Sequence, residues 1–322
     1  MPTIGRSVFK LSGYAPALPT PFADGGGLDG EAFERLCELQ IAHGAAALVV
    51  CGTTGEAPTL SLAEHGELIR IAVAASRGRV PVVAGAGSNA TAHAIELSKD
   101  AEANGADAIL SVVPYYNKPT QDGLYLHFRE IAAATDLPLV LYDVPSRTAR
   151  GLADETVARL AELPRIVGLK DATGDVERPA RLRGLVGQHF NLLSGDDASA
   201  LGFLAQGGDG CISVTSNAAP GLCRAMFLAW QQGNATKAHE LMIAVSRLTA
   251  ALHCETNPAP VKYALALCGL MSAKVRLPLV ELSDQAKARV VTALGPLCDE
   301  YPDGMIGAIG GAIRESGRAV AV

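Results

Sequence analysis

The chain has 322 residues, 49% hydrophobic and 19% charged, which predicts one large globular domain with room for a smaller one. Its formal net charge of −6 and its lack of Lys/Arg runs argue against nucleic acid as a partner, and no apolar run is long enough to cross a bilayer. Seven cysteines without Cys-x-x-Cys spacing predict reduced thiols in a cytoplasmic protein and no zinc site.

Short apolar runs alternate with longer amphipathic stretches over residues 1–235. The short runs have the length and punctuation of buried parallel strands, and eight are expected: YAPALPT, AALVVCG, VPVVAGA, AILSVV, LPLVLYD, IVGLKDA, NLLSGDD and GCISVTS. Helical periodicity is found between them in LDGEAFERLCELQIAHG, SLAEHGELIRIAVAASRG, NATAHAIELSKDAEANG and ADETVARLAEL. In the third of these helices, Asn89 is the expected N-cap and Gly105 the expected C′ residue.

Eight strand–helix units are the count of a (β/α)₈ TIM barrel, whereas a doubly wound open sheet usually has fewer. The rest of the chain shows only helical patterns, in ATKAHELMIAVSRLTAALHC, NPAPVKYALALCGL and SDQAKARVVTALGPLCDEY. We therefore predict an α/β fold with a barrel over residues 1–235 and a C-terminal helical domain over residues 236–322. The last stretch, GMIGAIGGAIRESGRAVAV, is rich in small residues, and the sequence assigns it no role.

Unusual residues fall at the ends of five predicted strands. GTTGE follows the second strand, PYYNKP the fourth, and YDVPSRT, Lys170 and SGDD close the fifth, sixth and seventh. In a TIM barrel the active site lies at this carboxyl end of the strands. A purely structural barrel does not need these groups, so the pattern predicts an active site there.

Lys170 lies inside the apolar run IVGLKDA. One interpretation is a lysine at the rim that reaches water, because lysine is almost never fully buried without a partner. The other is a Schiff-base lysine, whose neutral amine attacks a carbonyl. Period-two alternation places Ile166, Gly168 and Lys170 on one face, and the glycine leaves room for a small substrate, which favours the second interpretation.

Three hydroxyls are candidates for a proton relay around this lysine: Tyr142, Thr53 and Tyr116. For Tyr142 the alternative is an aromatic ring that only fills the barrel. The GTTG turn exposes backbone N–H groups suited to a carboxylate, which suggests a 2-oxo acid as substrate. Arg147 is a candidate to bind a second carboxylate, the alternative being a solvated loop arginine.

No cofactor is expected. The stretch from Gly85 to Ala90 imitates a dinucleotide-binding loop, but it is one βα turn among eight and is not the first in the chain. The seven histidines lack the spacing of metal ligands, so no metal is expected either.

Six motifs in order resemble the dihydrodipicolinate synthase family of pyruvate-dependent class I aldolases: GTTGEAPTLSLAEH, VVPYYNKPTQDGLYLHF, LYDVPSRT, GLKDATG, LLSGDDASAL and GCISVTSN. The likeness runs from about Tyr14 to Leu297. It implies a TIM barrel with a C-terminal helical domain, and a homotetramer built as a dimer of tight dimers. The implied reaction condenses pyruvate with L-aspartate 4-semialdehyde in lysine and diaminopimelate biosynthesis.

The resemblance also implies a role for each matching residue. Lys170 forms the Schiff base with pyruvate, and the hydroxyl relay consists of Thr53, Tyr142 and Tyr116. Tyr116 is expected to reach across the tight dimer interface. Substrate binding falls to Thr53 and Thr54 for the pyruvate carboxylate and Arg147 for the carboxylate of the semialdehyde, with Gly195 and Ile212 lining the pocket.

Two features depart from the family pattern. Asp143 stands where asparagine is common, and the tail beyond Asp299 is longer than the family needs. A sister activity, such as a 2-keto-3-deoxy sugar acid aldolase or dehydratase, therefore stays open. A catalytically dead binding protein is disfavoured, because the lysine, the tyrosine and both threonines are present.

The resemblance further bears on inhibition by free lysine. In lysine-sensitive relatives a cleft at the dimer interface binds the inhibitor, and Tyr115, Asn89 and His65 match its residues. His93, however, replaces a glutamate that holds the inhibitor's amine, and Leu62 replaces a polar partner. The sequence therefore predicts weak inhibition by lysine or none.

Overall fold

Eight parallel strands form where the sequence predicts them, in a computed structural model that describes residues 9–300 and the side chains of residues 9–297. They are β1 Gly13–Pro16, β2 Leu48–Val50, β3 Val82–Gly85, β4 Ala108–Val112, β5 Leu139–Asp143, β6 Ile166–Asp171, β7 Asn191–Ser194 and β8 Gly210–Ser213. Hydrogen bonds join them in the order β1-β8-β7-β6-β5-β4-β3-β2. A parallel bridge between Ala17 and Val49 connects β1 with β2, the two strands at the ends of this order. The Leu18 amide also donates to the Val49 carbonyl at 2.9 Å. The predicted barrel is confirmed.

Helices follow the strands around the barrel. They are α1 Gly30–Ala42, α2 Leu62–Ser76, α3 Thr91–Ala103, α4 Gln121–Ala134, α5 Pro145–Thr148, α6 Asp154–Ala161, α7 Arg178–Val186, α8 Ala200–Ala205, α9 Pro220–Gln231, α10 Ala235–Leu252, α11 Ala259–Leu267 and α12 Asp284–Glu300. The helices α10 to α12 are the C-terminal helices that the sequence predicts. The division at residue 235 stays a prediction, and the tail after residue 300 lies outside the described residues. Within residues 9–300, no helix has the length and hydropathy to span a bilayer.

The two predicted ends of α3 have different outcomes. Gly105 directly follows the C-cap residue Asn104 and has a φ of +86°, which confirms it as the C′ glycine. Asn89 is wrong as the N-cap, because the cap is Ala90 and no side chain bonds the first turn. The Asn89 carbonyl instead accepts a hydrogen bond from Asn117 Nδ2 at 2.8 Å. This residue therefore ties the start of α3 to the loop after β4.

Apolar side chains form two layers, one inside the barrel and one between the strands and the helices. Along β6 the alternation between the layers is interrupted. Ile166 and Leu169 belong to the outer layer and Val167 to the inner one, so Ile166 and Leu169 lie on the same face, whereas strict alternation would place them on opposite faces. The register between β5 and β6 shifts at this point, from Leu139 opposite Ile166 to Val140 opposite Gly168. The prediction that Ile166 shares a face with Lys170 is therefore wrong, because a β-bulge changes the phase of the strand.

Gly168 has a different role from the one predicted. A Cβ atom at this position would lie 2.8 Å from both the Cβ and the carbonyl oxygen of Asn191 on β7. Contacts that short are sterically prohibited, so the glycine allows β6 and β7 to approach each other. It makes room for the neighbouring strand, not for a substrate.

We expect His127 on α4 to make stability depend on pH. Its side chain is 5% exposed, its Nδ1 lies 2.9 Å from Thr91 Oγ1, and its Nε2 has no hydrogen-bond partner among the described residues. Burial lowers the pKa of His127 from 6.5 to about 4. Between these two pH values His127 is protonated in the unfolded chain but not in the folded chain. The neutral buried His127 therefore contributes its full stability above pH 6.5, and this contribution is lost as the pH falls toward 4.

Chemical denaturation at pH 7.5 and pH 5.0 measures this effect. The His127 contribution to the free energy of unfolding is expected to fall by about 2 kcal/mol between these values. The variant His127→Gln should lack this part of the pH dependence, whereas the control His93→Gln, at an exposed histidine, should keep it. An unchanged pH dependence in His127→Gln would contradict the assignment.

Candidate active site

The pairing of β5 with β6 brings Tyr142 directly opposite Lys170. Both side chains are buried, the lysine at 6% exposure and the tyrosine at 7%. The Nζ atom of Lys170 lies 4.3 Å from the centre of the Tyr142 ring. The lysine therefore does not extend from the rim into water but lies against the phenol inside the end of the barrel.

Lys170 has no acidic partner among the side chains that the structure describes. Within residues 9–297, Lys170 forms no ion pair with a carboxylate, and its described polar neighbour is the face of the Tyr142 ring. A buried ammonium without a paired anion is costly, because it loses its hydration without compensation. The arrangement therefore favours a lysine that takes part in the chemistry of the site over one that belongs to a structural ion pair.

Gly195 and Ile212 are predicted to line the pocket. Gly195 follows β7 and Ile212 lies in β8, both at the lysine's end of the barrel, and their role in the pocket stays a prediction. A Cβ atom on Gly195 would lie 3.0 Å from Lys170 Cε and 2.9 Å from the Cβ of Ala172. This glycine, rather than Gly168, is therefore the one that leaves space for the lysine side chain. Ile212 on β8 is 1% exposed and belongs to the apolar layer inside the barrel together with Tyr142.

The loop 51–56 carries the two candidate threonines. Its first residue, Cys51, has a φ of +53°, and its carbonyl approaches β3 so closely that a Cβ on Gly85 would lie 2.1 Å from it. Thr54 is 2% exposed, and its hydroxyl accepts a hydrogen bond from Asn257 Nδ2 at 2.9 Å. Thr53 is half-buried, and the structure gives its hydroxyl no partner among the described residues.

The same loop ends in a buried ion pair. Glu56 Oε1 lies 2.7 Å from Lys262 Nζ on α11, and both side chains have zero exposure. The other carboxylate oxygen accepts from the Arg276 amide at 2.9 Å. Burial lowers the pKa of Lys262, and the adjacent Glu56 opposes that shift. Helix α11 therefore holds the loop through Glu56, and Asn257, in the connection between α10 and α11, holds Thr54.

Sequence reasoning missed Asn257 and Lys262, and gave Glu56 no role. A signal was present, because Lys262 interrupts the apolar face of the helix APVKYALAL and so needs a buried partner. The identity of that partner was not visible, since Glu56 lies 206 residues away.

A cavity of about 460 Å³ opens at this end of the barrel. Three of the predicted site residues line it: Thr53, Tyr142 and Arg147. Arg147 lies on the short helix α5 and is exposed. The cavity continues toward a second group of lining residues, which includes Leu62, His65, His93 and Tyr115.

Of the predicted catalytic residues, Tyr116 and Lys170 are not among those that line this cavity, and only Tyr116 is exposed. Its side chain is 88% exposed, and its backbone adopts a left-handed conformation with a φ of +72°. A non-glycine residue with this φ is uncommon and is held in place by its surroundings. Lys118, two residues on, also has a positive φ of 46°.

Comparisons with known proteins agree with this geometry. The family model described as the dihydrodipicolinate synthetase family matches residues 10–296. The 4-hydroxy-tetrahydrodipicolinate synthase of Hyphomonas neptunium is 54% identical over 284 residues, covering 88% of this chain and 97% of that protein. That of Thiobacillus denitrificans is also 54% identical, over 84% of this chain and 92% of its own length.

Solved structures of the same family also match this chain over most of its length. The chloride-inhibited dihydrodipicolinate synthase of Acinetobacter baumannii, complexed with pyruvate, superposes with a TM-score of 0.86 at 44% identity, over 88% of this chain and 98% of that one. The enzyme of Cyanidioschyzon merolae with lysine bound gives a TM-score of 0.86 at 40% identity, over 88% and 97%. With matches of this identity and coverage, the chain belongs to the dihydrodipicolinate synthetase family.

Proposed function

We propose that this chain condenses pyruvate with L-aspartate 4-semialdehyde to 4-hydroxy-tetrahydrodipicolinate, a step in lysine and diaminopimelate biosynthesis. The observation that carries the proposal is the buried Lys170 amine, which lies against the Tyr142 ring and forms no ion pair with a described residue. The names of the relatives, which are all 4-hydroxy-tetrahydrodipicolinate synthases among those compared, favour this activity over a sugar-acid aldolase or dehydratase.

The chemistry proceeds through an imine. The Lys170 amine attacks C2 of pyruvate, and the carbinolamine loses water to form the Schiff base. Loss of a proton from C3 gives an enamine, whose C3 attacks the aldehyde carbon of the second substrate. The amino group of that substrate then attacks the imine carbon, which closes the ring and releases Lys170. Tyr142 and Thr53 supply the hydroxyls that move the protons in these steps.

Backbone amides of the loop 51–56 are suited to the pyruvate carboxylate. Among the described residues, the amides of Thr53 and Thr54 donate to no oxygen atom, so both are available to a ligand. The Thr54 hydroxyl is occupied by Asn257, which fixes the threonine rather than leaving it mobile. Such preorganised donors bind an anion without the cost of ordering a loop.

Tyr116 completes the relay from a neighbouring copy in this proposal. Its side chain is 88% exposed in the isolated chain, so it is free to contact a neighbouring copy. An exposed aromatic side chain of this kind is suited to a dimer interface. The proposed assembly is a homotetramer made of two tight dimers. The proposed compartment is the cytoplasm, which suits the chain's seven cysteines as reduced thiols.

Borohydride trapping tests the role of Lys170. With pyruvate present, reduction should leave a stable mass on the peptide that contains Lys170, and Lys170→Ala should lose both the adduct and most of the activity. The matched control is Lys118→Ala, an exposed lysine on the loop after β4, which should keep the adduct. An adduct on a different lysine, or none in the wild-type chain, would overturn the mechanism.

Arg147 should determine the use of the second substrate. A charge-assisted arginine–carboxylate contact is worth roughly 1.5–3 kcal/mol. Arg147→Ala is therefore expected to lower kcat/KM for aspartate semialdehyde about tenfold to a hundredfold, with little change in pyruvate binding. Arg150→Ala, at an exposed arginine on the same segment, serves as the control. Equal losses for both substrates would show that Arg147 has a structural role instead.

Weak inhibition by free lysine, or none, is expected at millimolar concentration. Leu62 and His93 line the cavity, and His93 Nδ1 lies 3.0 Å from Glu96 Oε2, so the neighbouring carboxylate is already engaged. A missing charge-assisted contact to the inhibitor's amine costs on the order of 1.5–3 kcal/mol. His93→Glu should strengthen lysine binding, whereas His93→Gln should not. Strong sub-millimolar inhibition of the wild-type chain in an initial-rate assay is the result that would refute this.

A further inference from the structure

Two buried carboxylates lie directly behind the reactive pair. Asp143 follows Tyr142 on β5, Asp171 follows Lys170 on β6, and the two aspartates are opposite each other in the register. Arg178 Nη1 lies 2.8 Å from Asp143 Oδ2 and 3.3 Å from Asp171 Oδ2. The three side chains are at most 4% exposed. One guanidinium therefore bridges the ends of the two strands that carry the phenol and the amine.

The guanidinium also holds the segment that follows Arg147. Arg178 Nη2 donates to the Leu152 carbonyl at 2.6 Å, and Arg178 Nε contacts Asp154 Oδ1 at 2.9 Å. The Leu152 amide in turn donates to Asp143 Oδ2 at 3.1 Å. The segment between α5 and α6 is thus fixed to the strand ends through the same cluster.

Stability alone does not account for this buried ionic cluster. Three carboxylates, those of Asp143, Asp171 and Asp154, share one guanidinium, and Asp143 Oδ1 has no hydrogen-bond partner among the described residues. Burial raises the pKa of Asp143, and Arg178 opposes that shift. Well-packed apolar residues often stabilise a protein as much as a buried ion pair, or more. What the ionic cluster supplies, and apolar packing does not, is a directional link between two specific strand ends.

We propose that Arg178 is a positioning residue for imine formation, which holds the Lys170 amine and the Tyr142 phenol in their relative positions by bridging Asp171 and Asp143. The proposal rests on the proposed function, because it concerns the step in which Lys170 reacts with pyruvate. The physical reason is that a displacement of about 1 Å between reacting groups lowers a rate by as much as 10²-fold. Tyr142 and Lys170 are each one residue away from a bridged aspartate, so loss of the bridge acts on both.

The test compares the rate of imine formation, followed by quenching with borohydride at short times after mixing with pyruvate. Arg178→Met should slow this rate about tenfold or more, and Arg178→Lys should recover part of it, because an ammonium still contacts the carboxylates. The KM for pyruvate should change less than about threefold, since the carboxylate loop 51–56 does not contact the cluster. The control is Asp154→Asn, which weakens a contact of similar length to the same guanidinium but leaves the bridge between the strands.

The outcomes separate this proposal from the one on which it rests. If the wild-type chain forms no pyruvate adduct, the proposed function and the positioning role fail together. If the wild type forms the adduct and Arg178→Met forms it within twofold of the same rate, only the positioning role fails. It also fails if Asp154→Asn slows imine formation as much as Arg178→Met does. If Arg178→Met does not fold, the comparison is made with Arg178→Lys instead. Imine formation in Arg178→Lys is expected to be severalfold slower than in Asp154→Asn. Equal rates of imine formation in these two variants would contradict the proposal.

Discussion

The register between β5 and β6 is the constraint on which the candidate site depends. It places Tyr142 opposite Lys170, and it is set by the bulge where Val140 pairs with Gly168 instead of with Val167. Successive side chains of a strand point to opposite faces, so a slip of one residue would turn Lys170 out of the barrel and toward the helices. The amine would then lie in the outer apolar layer without the ring of Tyr142. The shift in register at Val140 is therefore what keeps Lys170 on the same side of the sheet as Tyr142.

A second constraint comes from the opposite end of the chain. The amides of Thr53 and Thr54 in the loop 51–56 donate to no described residue, but such a loop has few internal bonds to keep it in one conformation. Asn257 and Lys262 supply the missing bonds, to Thr54 and to Glu56. Breaking a fully buried ion pair by removing one partner costs about 3–5 kcal/mol, because the remaining charge stays uncompensated. The C-terminal helices therefore contribute to the site itself, as well as to the packing around the barrel.

The parts of this structure that a sequence predicts are those encoded by local patterns. The eight strands can be predicted because apolar runs of strand length recur between stretches of helical periodicity. Lys170 can be singled out because a lysine is rarely buried in such a run without a partner or a function. Pairs that are distant in sequence are not visible in this way, which is why the partner of Lys262 and the bridge at Arg178 appear only in three dimensions. Two of the three wrong predictions are of this kind. Asn89 bonds the next loop instead of its own helix, and the space left by Gly168 is filled by Asn191 of a neighbouring strand.

The central claim is that a buried lysine, held against a phenol at the end of a barrel, reacts with a 2-oxo acid. A crystal structure of the chain soaked in pyruvate tests that claim most directly. The account predicts continuous electron density from Lys170 Nζ to C2 of pyruvate, with the carboxylate within hydrogen-bond distance of the Thr53 and Thr54 amides. Pyruvate bound without a covalent link to Lys170 at saturating concentration, or density joined to a different lysine, would contradict it.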